Sequence, residues 1–141
     1  YKFPVIIFIT TSFIDSGYHT FLNWKETKQL SKHNLVTIGS HARNHINLLS
    51  LDPRDVKNEI LGSKKIIQEK IKKQIDYFSY PSGGYNREIA GIVESNYHAG
   101  FKDRMGKDDK AFQAVGRLSV DKYSNNIKYF LLQLCLTKFI K

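Results

Sequence analysis

Two histidines four residues apart, His41 and His45, are the side chains here with the plainest chemical use. They stand in Thr37-Ile-Gly-Ser-His-Ala-Arg-Asn-His45, directly after a short apolar run that ends in Gly39-Ser40. Imidazole readily ligates metal ions. If the pair opens a helix, positions i and i+4 share one face, and two rings can converge on one ion. A catalytic zinc site usually takes three protein ligands and keeps one position open for water, so the pair is an incomplete set. The plainer alternative is one histidine capping a helix while the other packs against a neighbour.

The surrounding elements must position that pair. Val5 to Ile9 is a continuous apolar, β-branched run and predicts a strand covered on both faces. A loop follows through Asp15 to Tyr18. Lys25 to Lys32 predicts a short amphipathic helix, with Trp24 and Leu30 turned inward and Asn34 ending it in the left-handed conformation. Leu35 to Ile38 is the second strand. Asp52 as cap and Pro53 at the first helical position open a long helix. Its apolar positions Val56, Ile60, Ile66, Ile67 and Ile71 carry it to about Lys73.

Ile75 to Tyr80 is the third strand and runs into Pro81-Ser-Gly-Gly84. Asn86 caps a helix through Ser95, and His98 to Lys102 is a fourth strand. Arg117 to Val120 is a fifth, and Ser124 caps a final helix through Ile140. Alternating strands and helices argue for a parallel sheet with right-handed crossovers. In such folds the chemistry sits at the C-terminal ends of the strands. The His pair and the Pro81 to Gly84 turn both fall there.

Composition narrows the classes. A chain of 141 residues suits one domain, taken as 1–141, and 41% hydrophobic content suffices for a core. The net charge of +9 favours an anionic contact, but the basic residues are scattered. The densest group, Lys64, Lys65, Lys70, Lys72 and Lys73, lacks the interleaved aromatics of a nucleic-acid platform, so nucleic acid is not read as a partner. The single Cys135 excludes an intramolecular disulfide. The run from Tyr129 to Leu136 is far short of the ~20 residues that cross a bilayer, so no transmembrane segment is read. Oligomeric state is not legible.

Several segments together resemble the NodB-type domain of polysaccharide deacetylases, carbohydrate esterase family 4. Ile38-Gly-Ser-His-Ala-Arg-Asn-His45 resembles the family's metal-binding motif, and Leu48-Leu-Ser-Leu51 continues it. Phe78-Ser-Tyr-Pro-Ser-Gly-Gly-Tyr-Asn86 resembles the groove-lining third motif. Pro4 to Ile14, Asn23-Trp-Lys-Glu, Ala99-Gly-Phe101 and Arg117-Leu-Ser-Val120 extend the similarity to about Val120. The resemblance implies an α/β fold, a distorted, incomplete (β/α) barrel. It also implies a divalent metal, with zinc as the expected ion, and removal of acetyl groups from a glycan, usually N-acetylglucosamine. His41 and His45 would be metal ligands, and the Ser82 backbone N–H would stabilise the oxyanion. Tyr80 and Tyr85, which flank the turn at the expected active end, Pro81 within it and Arg43 between the two histidines are the candidate glycan contacts, with a solvated or locally paired side chain as the plainer alternative for Arg43. The family suggests a periplasmic, cell-surface or secreted location.

The family's first motif, a Thr-Phe-Asp-Asp-Gly type sequence, supplies the general base and the carboxylate ligand. The resemblance places it N-terminal to Tyr1, so the barrel is expected to lack its first strand here. Asp15 matches no family position. His98 lies too early to be the family's late histidine, and His19 and His33 fall in loop or helix positions. Ser79 stands where many members carry an Arg that orients the base. Two expectations follow: a deacetylase domain completed by upstream residues, or an inactive truncated remnant or glycan-binding module with the same fold.

Overall fold

The computed structural model describes residues 4–103 and the backbone of residues 115–116. Five parallel strands pair strictly in chain order, β1 (Val5–Ile9), β2 (Val36–Ser40), β3 (Tyr77–Ser79), β4 (Ala99–Lys102) and β5 (Val115–Gly116). That order decides the architecture. Right-handed crossovers that always step the same way put every helix on one face, so the sheet curls as part of a barrel instead of opening into a doubly wound layer. Between the strands lie α1 (Thr11–Asp15), α2 (Trp24–Leu30), α3 (Pro53–Lys57), a π-helical turn (Asn58–Gly62), α4 (Ser63–Ile71) and α5 (Arg87–Asn96). Among the described residues β1 is an edge strand, and Val5 and Ile6 on it are exposed.

The strand pleat sorts side chains onto two faces. Ile9, Ile38 and Phe78 turn toward the helices and join Val56, Ile60, Ile67, Ile71, Ile89 and Val93 in one buried cluster. Phe8, Gly39, Tyr77, Ser79 and Phe101 alternate onto the other face, with Phe8 paired to Gly39 and Ser79 to Phe101. There the Phe8 ring reaches Phe101 at a centroid distance of 5.4 Å. It does so by crossing Gly39, where an added Cβ would stand 2.6 Å from Phe8 Cδ1 and 3.0 Å from the Tyr77 carbonyl oxygen.

Several boundaries differ from the sequence expectation. The stretch after β1 is not simply loop, because α1 forms at once and its end is tied to α2 by Trp24 Nε1 donating to Asp15 Oδ1 at 2.8 Å. Asn23 and Glu26 form a reciprocal capping box on α2, while Thr27, between the half-buried Trp24 and Leu30, is the buried residue of that helix. The helix ends at Ser31 in a right-handed conformation, and Asn34 is not left-handed. Asp52 makes no side-chain cap, so Pro53 alone marks the start of α3.

The long helix contains a π turn that periodicity hides. The wider turn lets consecutive Glu59 and Ile60 both face inward, and the next residues resume the α period. Its Ile60 carbonyl accepts from Ser63 Oγ at 2.9 Å and from the Tyr97 hydroxyl at 2.8 Å. Ser63 Oγ also meets Ser40 Oγ at 2.7 Å, which binds the turn to the end of β2. Burial pushes the Tyr97 phenol well up, with Ser40 and Ser63 pulling the other way. The expected strand at Arg117 to Val120, the final helix and Cys135 lie outside the described residues.

The close approach at Gly39 has a measurable consequence. Gly39→Ala must displace the Phe8 ring and press on a backbone carbonyl. It should destabilise the fold by about 1–3 kcal/mol, read as a lowered urea midpoint with an unchanged slope. A midpoint equal to wild type would show that the face is not packed this way.

Candidate functional site

After Ser40 the chain does not enter a helix. Residues 41–47 are irregular, and two non-glycine residues, Ala42 at φ 62° and His45 at φ 55°, are left-handed. Each such residue costs roughly 1–2 kcal/mol. The result is nonetheless convergence: the His41 and His45 rings stand 4.8 Å apart between centroids at 71°. The helical route expected from the i, i+4 spacing is therefore wrong, while the pairing of the rings is present.

Glu59, which sequence reading passed over, holds this loop in its strained path. The π turn presents its buried carboxylate, and Oε2 accepts from the Arg43 and Asn44 backbone N–H groups at 2.9 Å each. Oε1 accepts from Asn44 Nδ2 at 2.6 Å. On the other side α1 caps the loop carbonyls, with Ser12 N–H donating to Arg43 O at 2.9 Å and Thr11 N–H to Ala42 O at 3.4 Å. Thr10 Oγ1 donates to His41 O at 3.2 Å. Gly62 leaves room for the Arg43 stem, whose Cδ lies 3.1 Å from where a Cβ would sit. The signal that could have found Glu59 is its place beside Ile60, one acid out of phase on an apolar face.

The two rings are oriented differently. His41 Nδ1 lies 2.7 Å from the Ser79 carbonyl. A carbonyl only accepts, so Nδ1 carries the proton, and in the neutral ring the lone pair belongs to Nε2. That is the arrangement a metal-ligating histidine needs. His45 is exposed and has no hydrogen bond among the described residues; instead its ring stacks on Phe13 at 6.0 Å and 24°. With metal–nitrogen bonds of about 2.0–2.1 Å and a near-tetrahedral angle, two ligating imidazoles have centres about 5 Å apart. The 4.8 Å separation of the two rings matches that spacing. Among the described residues no group of three or more His, Cys, Asp or Glu comes together.

The Pro81–Gly83 turn follows β3 at the same end of the sheet. Gly83 and Gly84 N–H groups donate to the Tyr80 and Pro81 carbonyls at 3.0 and 3.3 Å. Ser82 is exposed, left-handed at φ 54°, and its N–H has no partner among the described residues, as an oxyanion donor requires. Two expected glycan contacts need correcting. Tyr80 and Pro81 are completely buried, so neither side chain reaches a sugar. Tyr80 instead supports Tyr85 from below, the rings stacked at 5.0 Å, and burial, then Tyr85 and Glu94, push its phenol well up. Tyr85 is half-buried and Arg43 exposed, so both remain reachable.

Other histidines lie apart from the pair. His33 Nδ1 accepts from Leu35 N–H at 3.2 Å, and His98 sits at the opposite, N-terminal end of β4. Asp103, also unmentioned by the sequence reading, lies at the near end, its carboxylate 3.2 Å from where a Gly83 Cβ would stand. Ser79 Oγ is buried without a hydrogen-bond partner among the described residues, next to the carbonyl that orients His41.

The polysaccharide deacetylase family profile matches residues 1–100. The chain belongs to that family. It is similar to a Bacillus subtilis (strain 168) protein provisionally named as a polysaccharide deacetylase, YxkH, at 28% identity over 123 residues, 85% of this chain and 43% of that protein. The chain therefore spans less than half the length of this curated relative. The fold resembles the Streptococcus pyogenes deacetylase PplD, solved with acetate, at a TM-score of 0.80 and 22% identity, covering 92% of this chain and 57% of that one. It also resembles BA3943 from Bacillus anthracis, described as a family 4 pseudoenzyme, at a TM-score of 0.62 and 15% identity, covering 76% of this chain and 36% of that one. The expected parallel α/β fold of the deacetylase type is borne out.

If the Glu59 carboxylate holds the histidine loop, Glu59→Ala strands two backbone N–H groups and an amide. Stability should drop by about 2–3 kcal/mol, and amide exchange at residues 43–45 should speed up relative to the β2 core. Unchanged exchange there would refute the clamp.

Proposed function

We propose that this chain carries the histidine half of a metal-dependent deacetylase site that hydrolyses acetyl groups from a polysaccharide containing N-acetylglucosamine. The observation that carries the reading is the convergence of His41 and His45, with the His41 tautomer set by the Ser79 carbonyl. His41 and His45 would hold a divalent ion, zinc by expectation, together with a carboxylate from outside the described residues. When bound, such an ion lowers the pKa of water and polarises a carbonyl. The chain's own part is then to orient and to bind. The Ser82 N–H would donate to the acetyl oxygen as negative charge develops there, in a position where a backbone donor is indifferent to side-chain identity. Tyr85 and Arg43 would line the groove. Water adds to the acetyl carbon, the C–N bond breaks, and acetate and the free amine leave.

A second reading, a non-catalytic glycan-binding module of the same fold, draws support from Ser79. It stands where the resemblance puts a base-orienting Arg, and its hydroxyl is buried without a partner among the described residues. Loss of a general base would remove roughly 10²–10⁴-fold of rate.

Calorimetric zinc titration should show binding that His45→Ala weakens at least tenfold. Equal titrations would defeat the pair as ligands. Acetate release from an acetylated chitooligosaccharide should be near background for this chain and should rise at least a hundredfold when an upstream Asp-Asp-Gly segment is supplied. Metal binding without acetate release in both forms would favour the second reading.

A further inference from the structure

Away from the histidine loop, the segment between α1 and α2 forms a pocket of about 230 Å³ that no part of the deacetylase reading uses. Its lining combines an apolar floor at Ile14 with the aromatic Tyr18 and Phe21 and the polar His19, Asn23 and Glu26. The space above Gly17 is open, since an added Cβ there would meet nothing within 4 Å. Tyr18 is 68% exposed, and neither its ring nor its hydroxyl has a partner among the described residues. His19 likewise uses neither ring nitrogen.

The pocket is joined to the histidine pair by aromatic rings. Phe21 stacks on Phe13 at 4.9 Å and 17°, and Phe13 stacks on His45 at 6.0 Å and 24°. Both phenylalanines stay exposed, at 42% and 38%. A purely apolar patch would call for a protein or lipid partner. Here aromatic faces stand beside the Tyr18 hydroxyl and His19 ring nitrogens, which have no partner among the described residues, and beside the capping pair Asn23 and Glu26, within a volume the size of a small molecule. A pyranose ring matches that chemistry, with an apolar C–H face to lie on an aromatic ring and peripheral hydroxyls to bond polar side chains.

We propose that the pocket formed by Tyr18, His19, Phe21, Asn23 and Glu26 is a glycan subsite. It would bind a sugar residue of the polymer at a distance from the one placed at His41 and His45. Binding there makes affinity depend on chain length. The proposal rests on the deacetylase reading for its choice of polymer, but not on metal or turnover.

The test is a binding titration of the chain, without metal, by calorimetry and amide NMR, using N-acetylglucosamine and tetra-N-acetylchitotetraose as probes. The tetramer should bind at least tenfold tighter than the monomer and shift the amides of residues 17–26. Phe21→Ala should lower tetramer affinity about tenfold, and Phe21→Tyr should stay within about twofold of wild type. Tyr18→Ala removes an exposed side chain that supports no core, and should cost threefold or more even if Phe21→Ala fails to fold. Equal affinity for monomer and tetramer, no shifts at residues 17–26, or a Tyr18→Ala chain that binds like wild type would overturn the subsite. A chain that binds the tetramer through Phe21 yet shows no zinc binding would overturn the deacetylase reading alone.

Discussion

A buried carboxylate reaching across from a helix is the constraint on which the site depends. The chain leaves β2 and turns left-handed at Ala42 and again at His45, a path that non-glycine residues resist. Glu59 offsets that cost by collecting three N–H groups from Arg43 and Asn44. It works with the α1 N–H groups on the Ala42 and Arg43 carbonyls and with the Phe13 stack to keep the His45 ring beside that of His41. The site is in this sense made by α3 and its π turn as much as by the strand that carries the histidines.

The π turn itself is stabilised from two directions. Ser63 and Tyr97 both bond the Ile60 carbonyl, and Ser40 bonds Ser63. These polar groups are buried but satisfied, which removes the usual cost of placing them in a core. Ser40 is also the residue before His41. The same short network thus fixes where β2 ends and how Glu59 is aimed. Ser79, on the other face of the sheet, is the contrasting case: its carbonyl orients His41 while its buried hydroxyl has no partner among the described residues.

Aromatic contacts complete the orientation on the solvent side. Among the described residues His45 has no hydrogen bond to fix its ring, and the face of Phe13 supplies the restraint, with Phe21 behind it. One histidine is therefore held by a directional bond and the other by a stack. Tyr80 and Pro81, expected to meet the sugar, are instead buried, Tyr80 stacked beneath Tyr85. Side-chain chemistry alone does not tell a platform from its support, since both want a flat apolar ring.

Local pattern determined much of this protein. The β-branched run at Val5 to Ile9, the alternation of strands with helices, Pro53 and Asn86 at helix starts, and the His41 and His45 spacing were all readable, because each depends on neighbours within one or two turns. Only the tertiary structure decided the rest. The strand order, the left-handed histidine loop, the π turn that aims Glu59, and the burial of Tyr80 arise from contacts between residues far apart in the chain. Such contacts leave no period to read, because the energy that selects them is that of closing a core around polar groups.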